Sequence, residues 1–202
     1  MPPQDAASSL SLVVRRLITA PQDAVFAAWT EPAHLLKWWG PRGVTLAAAE
    51  IDLRVGGRYR LANKYEDGSV LWITGVFEVI DRPRRITYTW AHEPADDSTT
   101  ESTRVTVRFV HRDQGTEVIV VHQRIRSARS RRSHRAGWVE CLDGLAIVGP
   151  TVLPGIEAAR QRLPRSARAA ELPPEEITRD GARVVARAVR GWGRGRPGSR
   201  DR

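Results

Sequence analysis

Trp29-Thr30-Glu31-Pro32-Ala33-His34-Leu35-Leu36-Lys37-Trp38-Trp39-Gly40-Pro41 sets three of the chain's seven tryptophans beside two helix breakers. So much aromatic area in so short a tract marks a wall or lid around an apolar interior. Upstream, Leu10 to Thr19 is rich in branched apolar residues and reads as a strand that Ala20-Pro21 ends. From Pro21 the period changes: proline suits a first helical turn, Asp23 favours the positive helix end, and Val25, Phe26 and Trp29 follow at helical spacing. Pro32 then opens a second helix of barely two turns, carrying Leu35, Leu36 and Trp39 and stopped by Gly40-Pro41. On such a helix the adjacent Trp38 and Trp39 point about 100° apart, so one of them lines the mouth of the interior.

Downstream, from Val44 to Ile125, the signals are those of consecutive antiparallel strands. Val105, Val107 and Phe109 alternate with Arg104, Thr106 and Arg108, which gives one buried and one wetted face. Ile86, Tyr88 and Trp90 repeat the pattern. Turns are predicted at Val55-Gly56-Gly57, Glu66-Asp67-Gly68, Asp81-Arg82-Pro83 and Asp113-Gln114-Gly115. Ser133 to Val148 reads as a helix with Trp138, Cys141, Leu142 and Leu145 on one face, cut at Gly149-Pro150. A sheet of this kind must bury its apolar face, and the final helix is its cover. If the cover is loose, a cavity follows. An empty cavity of about 300 Å³ would cost on the order of 7 kcal/mol, comparable to a whole domain's stability of roughly 5–15 kcal/mol, so one of that size is expected to be wet or occupied.

Composition narrows the class. At 202 residues the chain suits one domain plus an appendage. No apolar run approaches the roughly 18 residues of a spanning helix, and the start lacks the basic and apolar stretches of a secretory signal, so a cytoplasmic protein without a membrane span is expected. Cys141 is the sole cysteine, which rules out an internal disulfide or a thiolate metal cluster. The formal charge is +9, and its distribution matters more than its size. Residues 1–149 hold 20 Lys+Arg against 17 Asp+Glu, whereas residues 150–202 hold 12 against 6. The excess therefore sits mostly in the tail.

Several motifs recur in one order: the Trp29 to Pro41 tract, Asp52-Leu53-Arg54-Val55-Gly56-Gly57-Arg58-Tyr59, Gly75-Val76-Phe77-Glu78-Val79-Ile80 leading to Pro83, Arg85-Ile86-Thr87-Tyr88-Thr89-Trp90, and Gly137-Trp138. Together, over residues 10–148, they resemble the SRPBCC superfamily (START and Bet v type proteins), in the branch similar to the C-terminal domain of the ATPase activator of the ninety-kilodalton heat-shock chaperone. The resemblance implies an α+β helix-grip fold: a curved antiparallel sheet of about six to seven strands around a long C-terminal helix, with two short helices after the first strand. It implies an internal pocket too. The domain is expected over residues 8–149. A basic, Pro/Gly/Arg-rich and partly disordered tail is expected over 150–202, with a short helix at 175–190.

Fold alone does not assign function, so the pocket residues must. Phe26, Trp38, Trp39, Tyr59, Phe77, Tyr88, Trp90, His122 and Trp138 are the expected ligand-binding set, since aromatic rings give area and Tyr and Trp add a polar handle. His122 and Tyr88 are the only acid–base candidates. Asp52 and Arg54 are expected to pair beside the diglycine turn, and Glu78 to pair with an arginine on a nearby strand. No metal-ligand spacing, nucleophile elbow or phosphate loop is present, so neither a metal nor a cofactor is expected. Arg124, Arg126, Arg129, Arg131, Arg132 and Arg135 depart from the family pattern and read as a loop at the pocket entrance.

The leading expectation is a binding module for a small or medium hydrophobic ligand. The alternatives are a cofactor of a heat-shock chaperone in stress response, which the resemblance implies, and a cyclase- or dehydratase-like enzyme. Nucleic acid is expected only as a non-specific partner of the tail. The sequence sets no preference between monomer and homodimer.

Overall fold

The elements follow the predicted order: β1 (Leu10–Ile18), α1 (Gln22–Thr30), α2 (Pro32–Leu35), β2 (Val44–Ile51), β3 (Arg58–Tyr65), β4 (Val70–Asp81), β5 (Arg85–Glu93), β6 (Thr103–Arg112), β7 (Gly115–Ile125) and α3 (Ala128–Gln161). The computed structural model describes residues 9–93 and 102–161, with side chains as far as residue 149. The chain divides into two units, Met1–Ala158 and Ala159–Arg202. All seven strands, both short helices and most of α3 fall in the first. The helix predicted at 175–190 and the basic end of the tail lie outside the described residues.

The strands form one 7-stranded sheet in the order β1-β7-β6-β5-β4-β3-β2. Each neighbour is antiparallel. The first strand pairs with the last, so β1 and β2 are left as the two edges. Alternation decides which face is inside: Thr103, Val105, Val107 and Phe109 of β6 are buried while Arg104, Thr106 and Arg108 point outwards. Register shifts at Leu10/Leu12, Leu46/Ala48 and Phe77/Val79 are the places where the ladders bend. Such irregularities increase local twist and help to curl a sheet around its cover. Trp138, Cys141, Leu142 and Leu145 of α3 are buried as one stripe, and each large apolar side chain so buried stabilises by about 1.5–3 kcal/mol. The result is the α+β helix-grip arrangement.

Three local expectations are corrected. The second helix ends after one turn, at Leu35, and Leu36 is exposed. Beyond it the backbone continues through Lys37 N–H to His34 O and Trp38 N–H to Leu35 O, bonds of the tighter i to i+3 kind. The last helix starts at Ala128, five residues before Ser133, because the Ser127 hydroxyl accepts the Ser130 N–H at 3.0 Å and caps it. Arg129, Arg131, Arg132 and Arg135 therefore lie on the first two turns of α3 instead of on a loop. Finally, α3 runs through Gly149-Pro150 to Gln161. A proline forfeits one helical hydrogen bond but has a helical φ, so it disfavours a continuing helix without forbidding it.

Candidate functional site

The interior between sheet and helix contains a cavity of about 20 Å³. That is room for about one water. The hollow of about 300 Å³ considered from sequence is filled by the protein's own indoles. Trp39 lies 6.3 Å from Trp29, 5.6 Å from Trp38, 6.0 Å from Trp90 and 5.7 Å from Trp138, centroid to centroid. Trp29 stacks on Trp138 at 6.0 Å with an interplanar angle of 18°. This packing follows from the opening tract: α1 delivers Trp29, the turn after α2 delivers Trp38 and Trp39, and α3 delivers Trp138 to the same place.

Of the nine expected residues, Trp39, Tyr59, Phe77, Tyr88 and Trp90 line the cavity. Phe26 lies elsewhere in the core, edge-on to Phe109 at 5.4 Å and with Arg82 over its face. Trp38 turns away from the cavity and its indole donates to Ala28 O at 2.9 Å. His122 and Trp138 form a neighbouring polar cluster. Trp29, Leu35, Ile51, Leu61 and Ile86 complete the lining and were missed as site residues. The signal for Leu61 and Ile86 was strand alternation, since each lies two residues from a lining tyrosine and shares its face.

The polar groups of this interior are neutral. Trp138 Nε1 donates to His122 Nδ1 at 3.1 Å, and an indole only donates, so Nδ1 is the acceptor nitrogen. The ring proton then sits on Nε2, 2.6 Å from Thr103 Oγ1, and Thr103 in turn donates to Trp90 O at 3.2 Å. Burial, with His134 and His92 nearby, pushes the His122 pKa down to about 3. With both nitrogens engaged, His122 has no lone pair left to take a substrate proton. Burial raises Tyr59 well above the usual phenol range, and its hydroxyl donates to Thr89 O at 2.7 Å. Burial likewise raises Tyr88, against a partial offset from a hydrogen bond with Trp29. The Cys141 thiol is pushed up to about 12, chiefly by burial. Phenols shifted upwards and an imidazole shifted down to about 3 are each far from the pKa near 7 that efficient general acid–base catalysis uses.

One group breaks this pattern of satisfied polar atoms. The Trp90 indole N–H is buried and has no acceptor among the described residues. Trp39, facing it, donates its own N–H to Asn63 Oδ1 at 3.1 Å. Elsewhere the predicted pairs form: Arg54 Nε to Asp52 Oδ2 at 2.8 Å, and Arg104 Nε to Glu78 Oε2 at 2.5 Å, reaching from β6 across β5 to β4. Among the described residues no group of His, Cys, Asp or Glu is arranged to hold a metal ion. No described helix is long and apolar enough to cross a membrane.

A seven-stranded antiparallel sheet around one long C-terminal helix, with two short helices after the first strand, places the chain in the SRPBCC class of α+β protein. Within it, the chain belongs to the AHSA1 family, the activator of Hsp90 ATPase homolog 1-like proteins, whose model matches residues 19–148. A protein of Chromobacterium violaceum is similar at 25% identity with a TM-score of 0.63, over 69% of this chain and 96% of its own. The AHSA1 protein of Silicibacter pomeroyi is similar at 24% identity and a TM-score of 0.61, over 68% and 96%. A Nitrosomonas europaea protein shares the fold at 21% identity and a TM-score of 0.60, over 77% and 99%. No curated protein matches the chain.

Proposed function

We propose that the chain is a binding module for a small or medium hydrophobic molecule that carries one neutral hydrogen-bond acceptor. The observation behind this reading is that Trp90, a residue lining an apolar cavity, keeps a buried indole N–H without an acceptor among the described residues. A buried unmet donor costs about 1–3 kcal/mol, which an acceptor on a ligand would recover. The neutral tyrosines and imidazole around it favour an uncharged guest, because a buried ion would have no counter-charge. A guest larger than one water requires Trp39 to withdraw. Trp39 sits in the irregular stretch between α2 and β2, next to Gly40 at φ 123°, and is not anchored in a regular element.

The test is a thermal-shift titration of the full chain with decane and with 2-decanone, which differ by one carbonyl. Both raise the midpoint, 2-decanone more; at 100 times Kd the stabilisation is about 2.7 kcal/mol. Trp90→Phe keeps the apolar wall and abolishes the advantage of the ketone. If neither compound moves the midpoint at saturation, the reading fails.

A chaperone-cofactor role is the second reading, supported by the family's description. Addition of the purified chain to an Hsp90-type chaperone then raises its ATP turnover. Unchanged turnover at saturating chain removes this role and leaves the ligand reading untouched.

A further inference from the structure

Arg124, Arg126, Arg129, Arg131, Arg132 and Arg135 fall within twelve consecutive residues that contain no Asp or Glu. All six are exposed. Arg15, Arg16, Arg54, Arg60, Arg84, Arg104 and Arg112 each meet a carboxylate. Arg124, Arg129, Arg131, Arg132 and Arg135 are in no ion pair among the described residues; Arg42, Arg58, Arg82, Arg85 and Arg108 are not either, but those are scattered over separate elements, whereas these five are gathered in one segment. Helix stability does not explain them, since the first turn of α3 has no acidic residue and positive charge there opposes the helix dipole. The remainder of residues 1–149 holds 14 Lys+Arg against 17 Asp+Glu, so this patch is a positive island on a negative body.

The sequence of the patch adds chemistry to charge. Arg126-Ser127, Arg129-Ser130 and Arg132-Ser133 place an Arg-Ser pair at every third residue. On a helix three residues advance about 4.5 Å, so Arg129, Arg132 and Arg135 make a slanting row with Ser130 and Ser133 beside it. The Ser127 hydroxyl donates to Ser130 Oγ at 2.9 Å, which leaves the Ser130 hydroxyl hydrogen free to point outwards. Guanidinium forks and serine hydroxyls are the donors that contact backbone phosphates. The segment has no Phe, Tyr or Trp on which an unpaired base would stack, and its one imidazole, His134, is packed against the rings of His122 and Trp90. Its one large apolar side chain, Ile125, is buried, so nothing in it inserts into a lipid surface.

We propose that the arginine row at the start of α3 is a sequence-independent docking surface for the phosphate backbone of a nucleic-acid duplex. It is separate from the tryptophan-lined cavity and does not depend on it. Binding arises from counterion release, so it weakens steeply with salt and is indifferent to base sequence.

The test is fluorescence anisotropy of the full chain with a labelled random-sequence DNA duplex of about 20 base pairs, between about 50 and 200 mM salt. The dissociation constant near physiological salt is on the order of 10⁻⁴–10⁻⁶ M. Arg129→Gln/Arg131→Gln/Arg132→Gln/Arg135→Gln lowers the log–log salt slope by about 3–4, at roughly 0.9 for each phosphate no longer neutralised. The tail is present in both proteins, so the difference belongs to α3. Circular dichroism checks that the variant is folded; if it is not, Arg132→Gln/Arg135→Gln lowers the slope by about 2. Equal slopes in wild type and folded variant overturn the proposal. So does stronger competition from polyglutamate or phosphatidylserine vesicles than from unlabelled duplex at matched charge.

Discussion

His122 shows how much of a residue's behaviour is set by partners distant in sequence. Its side chain is wholly buried, accepts from Trp138 and is bonded to Thr103, so the folded protein holds it neutral down to a pKa of about 3. In the unfolded chain the same ring takes up a proton near pH 6.5. Between those values the unfolded state binds the extra proton, so stability is complete above about pH 6.5 and declines as pH falls towards 3, by roughly 1.4 kcal/mol per unit. His134 is shifted in the same direction, by burial first, and steepens the decline. Urea unfolding at pH 7.5 and pH 5 is expected to differ by about 2 kcal/mol or more. His122→Leu reduces that difference while lowering stability at both pH values, because it orphans Trp138 Nε1. A pH-independent midpoint would contradict this account. The sequence marked His122 as a candidate acid or base. It did not show that Trp138, sixteen residues away on another element, occupies one nitrogen.

At the scale of elements, two glycines inside regular structure carry opposite predictions. Gly75 lies on β4, where a Cβ would meet Thr89 O at 1.9 Å and the Tyr59 ring at 2.6 Å. Gly75→Ala must spread β4 from β5 and is expected to cost about 1–3 kcal/mol in thermal unfolding. A Cβ at Gly137 on α3 would meet nothing within 4 Å. Gly137→Ala is therefore expected to stabilise by about 0.5–1 kcal/mol, through helix propensity alone. The strands, their turns and the buried stripe of α3 were legible because period-2 and period-3.6 patterns are local properties of the chain. The length of α2 and the two ends of α3 were not. Leu36 continues a helical apolar pattern yet is exposed, and the Ser127 cap acts on a segment whose arginines suggested a loop. Pro150 is a breaker by propensity, but propensity is a weak prior inside a long helix.

For the molecule as a whole, what the site lacked in legibility was its volume. Aromatic content announced a tryptophan-rich interior, and five of the nine named residues do line the cavity. Whether those rings leave a hollow or close it depends on how sheet curvature, α3 and the turn after α2 meet in space. No window of sequence contains that information. Charge shows the same division of scales: the total is in the composition, but which arginines meet a carboxylate, as Arg104 meets Glu78 across a strand, is decided only when the strands pair. The indole cluster has an optical consequence. Trp29, Trp38, Trp39, Trp90 and Trp138 are linked by ring separations of 5.0–6.3 Å, close enough for excitation energy to migrate among them before emission. Displacing any one of these rings is therefore expected to change the colour and lifetime of the light that all five return.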